Sequence, residues 1–208
     1  MMRFKLRDNR TALFDVQSAI FPGYEAPVIR MADDGERELE MMRWGFVRRP
    51  KGKAPTRVTN VRNDTVLNNR FWTDSFLKRR CLVPFTSYAE PLGLNPSSWW
   101  WHTLDVREDD RPLGAFPGIW KDYEGPVKKD GENVRQRVFA FMTCGPNTLE
   151  SAAAHERMPV LLRADEEFET WLCGSETEAL NLARPCPAEE MRIVQRGSAR
   201  KDLLGQQV

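Results

Sequence analysis

Short apolar runs separated by polar turns dominate the chain, and few stretches carry the spacing of a long helix. Ala26 to Met31 and Leu39 to Trp44 are two such runs. Asp33-Asp34-Gly35-Glu36 between them has the chemistry of a hairpin turn, so the pair predicts two adjacent strands. Pro22-Gly23-Tyr24 is a turn, and Pro50 to Pro55 is a loop rich in Lys, Gly and Pro. Val58 to Val61 reads as extended, and Phe71 to Lys78 has helical spacing. Arg80 to Phe85 has the pattern of a buried strand, with Pro84 implying an edge or a bulge. Ser98 to Val106 and Leu113 to Lys121, rich in Trp and β-branched or aromatic residues, predict strands. A charged turn at Lys128 to Asn133 leads to a returning strand at Val138 to Thr143. Asn147 suits the N-cap of a helix ending near His155, and Met158 to Leu162 predicts another strand. Short helices are expected at Asp165 to Cys173 and Glu176 to Ala183, and Met191 to Val194 closes the regular structure. At the N-terminus, Met2 to Leu6 predicts a short strand and Arg10 to Ile20 a helix or an irregular segment. The stretch from Gly197 is polar and expected to be loose.

Strands outnumber helices and mostly follow one another without a helical crossover, which predicts an α+β fold. The expectation is an antiparallel or mixed sheet curled into a barrel-like core with peripheral helices. No repeat or linker divides it, so one domain is expected over 1–197, with a polar tail at 198–208.

Composition narrows the class. At 208 residues, 41% hydrophobic and 29% charged, the chain has the make-up of a soluble globular domain with a full core. Lys and Arg number 31 against 30 Asp and Glu, so no bulk field advertises a polyanionic partner. Basic residues nonetheless gather between Arg43 and Arg62, which reads either as a solvated loop or as a phosphate-binding rim. No apolar stretch approaches the ~20 residues that cross a bilayer, and the N-terminus lacks the apolar core of a secretory signal. A cytoplasmic protein without a membrane partner is expected. Cys81, Cys144, Cys173 and Cys186 form no close pair, and the two histidines are far apart in sequence. Reduced thiols are therefore expected, with no zinc site, disulfide framework or cofactor.

Candidate chemistry starts at His155, which stands on an element boundary ahead of Glu156, Arg157 and the apolar Met158 to Leu162. Histidine titrates near neutrality, and a boundary position lets it face a cleft as well as a core. Asn60 and Arg62, two apart in an extended segment, share one face of a sheet, where they suit either a phosphate or sugar oxygen or an ordinary turn and surface pair. Glu90 follows Tyr88 and Ala89. Among Tyr88, Trp99 and Trp100 its carboxyl would be desolvated and suited to acid–base work, or else it is a solvent-facing strand end. Trp99-Trp100-Trp101 and Trp44-Gly45-Phe46 serve core packing or, where exposed, stacking on unpaired bases, with Gly45 permitting close backbone approach.

Taken in order, these segments resemble the SOS response-associated peptidase (SRAP) family, whose members shield abasic sites in single-stranded DNA. The resemblance rests on Arg43-Trp44-Gly45-Phe46, Thr59 to Thr65, Arg80 to Pro84 through Tyr88-Ala89-Glu90, Ala115 to Trp120, Phe141-Met142-Thr143 and His155 to Leu162. These pieces run from about residue 22 to residue 197. The family fold and a single-stranded DNA partner carrying abasic sites are then expected, with a monomer favoured. The resemblance implies that family members lose their initiator Met and expose a Cys whose amine and thiol capture the abasic aldehyde as a thiazolidine. It implies that Asn60 positions the nucleophile and sugar, and that Glu90 transfers protons during Met removal and Schiff-base steps. His155 would protonate the sugar oxygen. Arg62, Trp44, Gly45 and Arg157 would contact DNA.

Two positions depart from the pattern. Pro91 stands where the family usually carries an aromatic, and Met2 stands in place of Cys, so no thiazolidine can form at this position. The α-amine at Met1, retained because Met2 is bulky, has an ordinary pKa of ~7.7–8.0 and can still form a Schiff base. Three readings of the absent thiol stay open: a Met-Cys start just upstream, a member that binds DNA without covalent capture, or a substitute thiol at Cys144. A peptidase acting on other proteins finds no Ser/His/Asp spacing or metal motif in support.

Overall fold

A hairpin closes into a barrel. The computed structural model describes residues 4–6, 19–92, 98–105 and 111–203. Strands β1 (Glu25–Met31) and β2 (Arg37–Trp44) pair antiparallel from Glu25↔Arg43 to Met31↔Arg37, and Gly35 at φ +83° makes the turn that the sequence predicts. After them come β3 (Phe46–Arg48), β4 (Thr56–Val58), β5 (Asn60–Arg62), α1 (Arg70–Lys78), β6 (Arg80–Phe85), β7 (Tyr88–Pro91) and β8 (Trp99–Leu104). The rest of the chain supplies β9 (Gly114–Pro126), β10 (Asn133–Cys144), α2 (Thr148–Ala152), β11 (Met158–Pro159), α3 (Asp165–Cys173), α4 (Glu176–Asn181) and β12 (Met191–Gly197).

Five strands form the closed ring β10-β2-β1-β6-β9, with β9 returning to pair β10. Every junction is antiparallel except β10–β2, which is parallel at Val138↔Arg43 and Phe139↔Trp44. Closure removes the open edges that an unrolled sheet would expose. Past Phe139, β10 exchanges β2 for β5, which runs parallel to it from Phe141↔Asn60 to Thr143↔Arg62. A separate three-stranded sheet, β7-β8-β12, stands beside the barrel. The expected α+β class with a mixed, barrel-like sheet and peripheral helices is therefore the observed one.

Burial of apolar side chains carries the stability. Ile29, Leu82, Ile119, Phe139 and Phe168 are fully buried. Each such side chain contributes about 1.5–3 kcal/mol, whereas an exposed ion pair gives about 0–1. Trp171 of α3 pins helix to barrel: it is fully buried beside Phe76, and its Nε1 donates to the Cys81 carbonyl at 2.8 Å and the Gly118 carbonyl at 3.1 Å.

Several local expectations need correction. Phe4 to Leu6 is not a strand: Phe4 sits in a tight turn, buried against Phe168, and Leu6 makes a single bridge to Arg37. Most of Arg10 to Ile20, Met1 and Met2, and Val106 lie outside the described residues. Val58 to Val61 is two strands broken at Thr59. The stretch after Gly197 is docked as far as Leu203: Asp202 is only 4% exposed, pairs with Arg111 at 3.0 Å and accepts from Ser87 at 2.6 Å. Polarity in that segment marks a buried ion pair, not loose chain. No helix among the described residues is long and apolar enough to cross a membrane.

Candidate active site

Four side chains from three elements meet where the β7 end of the small sheet approaches α2. Tyr88 and Glu90 are two apart on β7 and so project to one face. Glu150 lies in the first turn of α2, and His155 follows that helix after Ala153 and Ala154. Asn147 caps α2 as the sequence predicts, its Oδ1 accepting from the Glu150 N–H at 2.9 Å. The helix stops after five residues, and Ala154, at the left-handed φ of +60°, turns His155 back toward it. Glu150 then holds His155 twice. Its carbonyl accepts the His155 N–H at 3.1 Å, and its Oε2 lies 2.6 Å from Nδ1.

Burial and charge give this cluster unusual protonation. Glu150 is fully buried and accepts from the Tyr88 hydroxyl at 3.0 Å. His155 Nε2 faces the Pro91 carbonyl at 2.9 Å, an acceptor only, so that nitrogen carries a proton. Burial lowers the His155 pKa, but the Glu150 hydrogen bond, the Pro91 carbonyl and the charges of Glu90 and Glu150 outweigh it and raise the net value. The Glu90 carboxyl is pushed up to about 7, first by burial and then by the negative charge of Glu150, with His155 opposing. A carboxyl raised to about 7 and an imidazole whose pKa is raised by Glu150 thus share one buried cluster, which suits general acid–base chemistry.

His102 was not among the sequence candidates, yet it belongs to this neighbourhood. It is fully buried, stacks on Tyr88 at 5.2 Å, and places Nδ1 3.5 Å from Glu150 Oε1. Burial lowers its pKa, so it stays neutral behind the cluster. Glu150 was also missed, because an acid in the first turn after an Asn cap reads as ordinary helix-end chemistry.

Asn60 and Arg62 lie on another strand, β5. They share the exposed face of β5 around the fully buried Val61, as their spacing predicts. Among the described residues, no hydrogen bond or ion pair joins them to Glu90 or His155. The link is a relay of rings. Phe141, the register partner of Asn60, stacks on Phe116 at 4.6 Å, and Phe116 meets Tyr88 edge-on at 5.9 Å. Trp44 continues the stack on Phe141 at 5.3 Å and donates Nε1 to the Thr59 carbonyl at 3.1 Å. Gly45 follows at φ +110°, where its N–H reaches the Phe139 carbonyl and a Cβ would come within 3.0 Å of Arg57. The close approach expected at Gly45 is therefore filled by Arg57.

The cations are less free than the sequence suggests. Asp64 closes the Arg62 guanidinium in a bidentate pair, at 3.0 Å to Nε and 2.6 Å to Nη2. Arg157 spends its donors on Asn63, 2.8 Å away, and on the Thr143 carbonyl and hydroxyl, bracing the turn after β5. Arg43 pairs with Glu25, and Arg48 lies over Phe71. Cys144 is buried, and desolvation pushes its thiol up to about 11, so it cannot substitute for an N-terminal nucleophile. Of the Trp triplet, Trp101 is buried, while Trp99 and Trp100 are half-buried, each beneath an arginine of the C-terminal segment. Among the described residues, no group of three His, Cys, Asp or Glu is arranged to hold a metal ion.

Comparison with known proteins bears on the whole chain. The sequence model of the family described as SOS response associated peptidase (SRAP) matches residues 2–198. The abasic site processing protein YoqW of Bacillus subtilis is 25% identical over 174 residues, covering 81% of this chain and 74% of that protein. The abasic site processing protein HMCES of Gallus gallus is 29% identical over 178 residues, covering 74% of this chain and 52% of the relative. Among solved structures, a protein from Bacteroides thetaiotaomicron superposes with a TM-score of 0.66 at 23% identity, covering 93% of this chain and 86% of that one. A protein from Bordetella bronchiseptica gives 0.65 at 21% identity, covering 90% and 89%. At these identities the structural matches speak to the fold.

Proposed function

Because the chain belongs to the SOS response associated peptidase family, we propose that it binds single-stranded DNA, senses abasic sites and processes them at the Glu90–His155 cluster. The observation that carries this reading is the placement in one buried cluster of Glu90, its carboxyl raised to about 7, and His155, its proton held by the Pro91 carbonyl and Glu150, on the motifs that the family resemblance singles out.

The abasic sugar exists mostly as a closed hemiacetal. His155 donates the Nε2 proton, now shared with the Pro91 carbonyl, to the ring oxygen, and the hemiacetal hydroxyl gives its proton to water as the C1′ aldehyde forms. The α-amine at Met1 attacks that aldehyde. The carbinolamine hydroxyl takes a proton from Glu90 and leaves as water, giving the protonated imine, whose N–H proton can return to the Glu90 carboxylate. Without a thiol at position 2 the imine is not trapped as a thiazolidine. It reverts by hydrolysis or leads to strand cleavage by β-elimination. Asn60 orients the sugar, Arg62, Trp44 and Arg157 face the DNA, and Gly45, packed against Arg57, holds the backbone beside Trp44. Arg62 reaches a phosphate by exchanging Asp64 for it. Peptidase-type removal of the initiator residue is not needed for this chemistry.

A second reading, a single-stranded DNA-binding module without catalysis, is favoured by Met2 in place of Cys. Fluorescence anisotropy with single strands, with and without one abasic site, tests the shared part of both readings. We expect tighter binding to the abasic strand, with affinity falling as salt rises. Equal affinity for abasic and intact strands would retire abasic-site sensing.

A further inference from the structure

Resting on that reading, we propose that Trp100 and Arg196 form a stacking and phosphate-contacting platform for the unpaired nucleotide beside the lesion. The β7-β8-β12 sheet aligns Glu90, Trp100 and Arg196 in one row, with Glu90↔Trp100 and Trp100↔Arg196 as direct register partners. Directly opposed residues project to the same face, so the indole and the guanidinium lie on the side that carries Glu90. The neighbouring row on that face is Tyr88↔His102, which belongs to the buried cluster. The face therefore grades from a closed acid–base cluster to a half-buried indole and then to an exposed guanidinium.

A β-bulge makes the row. Ile193 pairs with His102 and Gln195 with Trp101, so Val194 is the extra residue on β12. Without it, Gln195 would oppose Trp100. With it, Arg196 does, and its guanidinium carbon sits 4.6 Å from the centre of the Trp100 ring. Arg196 has no carboxylate within ion-pair distance among the described residues, whereas the Arg62 fork is closed by Asp64. A cation stacked on an indole presents a flat surface to a base and leaves its in-plane N–H groups for a phosphate. Trp99, the register partner of Pro91, faces the opposite side beneath Arg200 and serves as the internal control.

Anisotropy titrations with a labelled single strand carrying one abasic site, comparing wild type, Trp100→Ala, Arg196→Gln and Trp99→Ala, test the platform. Trp100→Ala is expected to weaken binding about tenfold. Arg196→Gln is expected to weaken it several-fold and to flatten the dependence of log affinity on log salt by about 0.7. Trp99→Ala is expected to bind as wild type does. Arg196, being exposed, keeps the test open should Trp100→Ala fold poorly. Wild-type binding that survives both Trp100→Ala and Arg196→Gln, with an unchanged salt slope, would overturn the platform and leave the proposed function standing. Absence of wild-type binding to the abasic strand would overturn both.

Discussion

Glu90→Gln should slow formation of the covalent imine with abasic single-stranded DNA by about 10²–10⁴-fold, the range that a positioned proton-transfer group contributes. The substitution keeps the size of the side chain and removes only the exchangeable proton, so DNA affinity should change little. At its shifted value of about 7, the Glu90 carboxyl is roughly half protonated at neutrality and can serve as acid on dehydration and as base on the return. The wild-type rate should accordingly fall on the alkaline side as Glu90 and His155 lose their protons. In Glu90→Gln the residual rate should follow His155 and the α-amine nucleophile, without the Glu90 limb. Single-turnover trapping across pH 5.5 to 8.5 measures both effects. A Glu90→Gln variant with the wild-type rate and pH profile would remove Glu90 from the chemistry.

Glu150→Leu should cost about 3–5 kcal/mol of folding stability, because it removes one member of a buried, hydrogen-bonded charge cluster and strands the others. Tyr88 loses its acceptor, and His155 loses the partner of Nδ1. The pH dependence sharpens the test. Glu90 has its folded pKa raised from 4.5 to about 7, and His155 has its own raised above 6.5. The folded protein therefore binds more protons than the unfolded chain in this range. The contribution of these two groups is fully present below pH 4.5 and is lost as pH rises through 7 and on through the His155 pKa, by at most about 1.4 kcal/mol per pH unit for each proton. Without the charge of Glu150, both upward shifts shrink. Urea unfolding of Glu150→Leu should then show lower stability and a flatter decline from pH 5 to pH 8, the remaining slope coming from burial of Glu90. Stability equal to wild type at every pH would show that Glu150 is not a partner of the cluster.

How far the sequence could anticipate this molecule depended on how local each signal was. The bounds of α3 were legible because Asp165-Glu166-Glu167 opens the helix and Gly174 follows it. The shared exposure of Asn60 and Arg62 followed from the two-residue period of an extended chain. A barrel-like core was expected, but the parallel seam that closes it was not legible, because Phe139 and Trp44 lie in segments almost a hundred residues apart with no local signature. Glu150 hid behind its position in a capped first turn, and only the left-handed turn at Ala154 brings His155 back onto it. The polar segment after Gly197 misled for a related reason: the partners of Asp202 are Arg111 and Ser87, both distant in sequence.

The most direct test of the central claim is reductive trapping. Wild-type protein is incubated at pH 7 with a single strand bearing one abasic site, treated with borohydride and resolved on a denaturing gel, beside the same strand without the lesion. The account predicts a covalent adduct with the abasic strand alone. No trapped adduct, no strand cleavage and no preference for the abasic strand would contradict it.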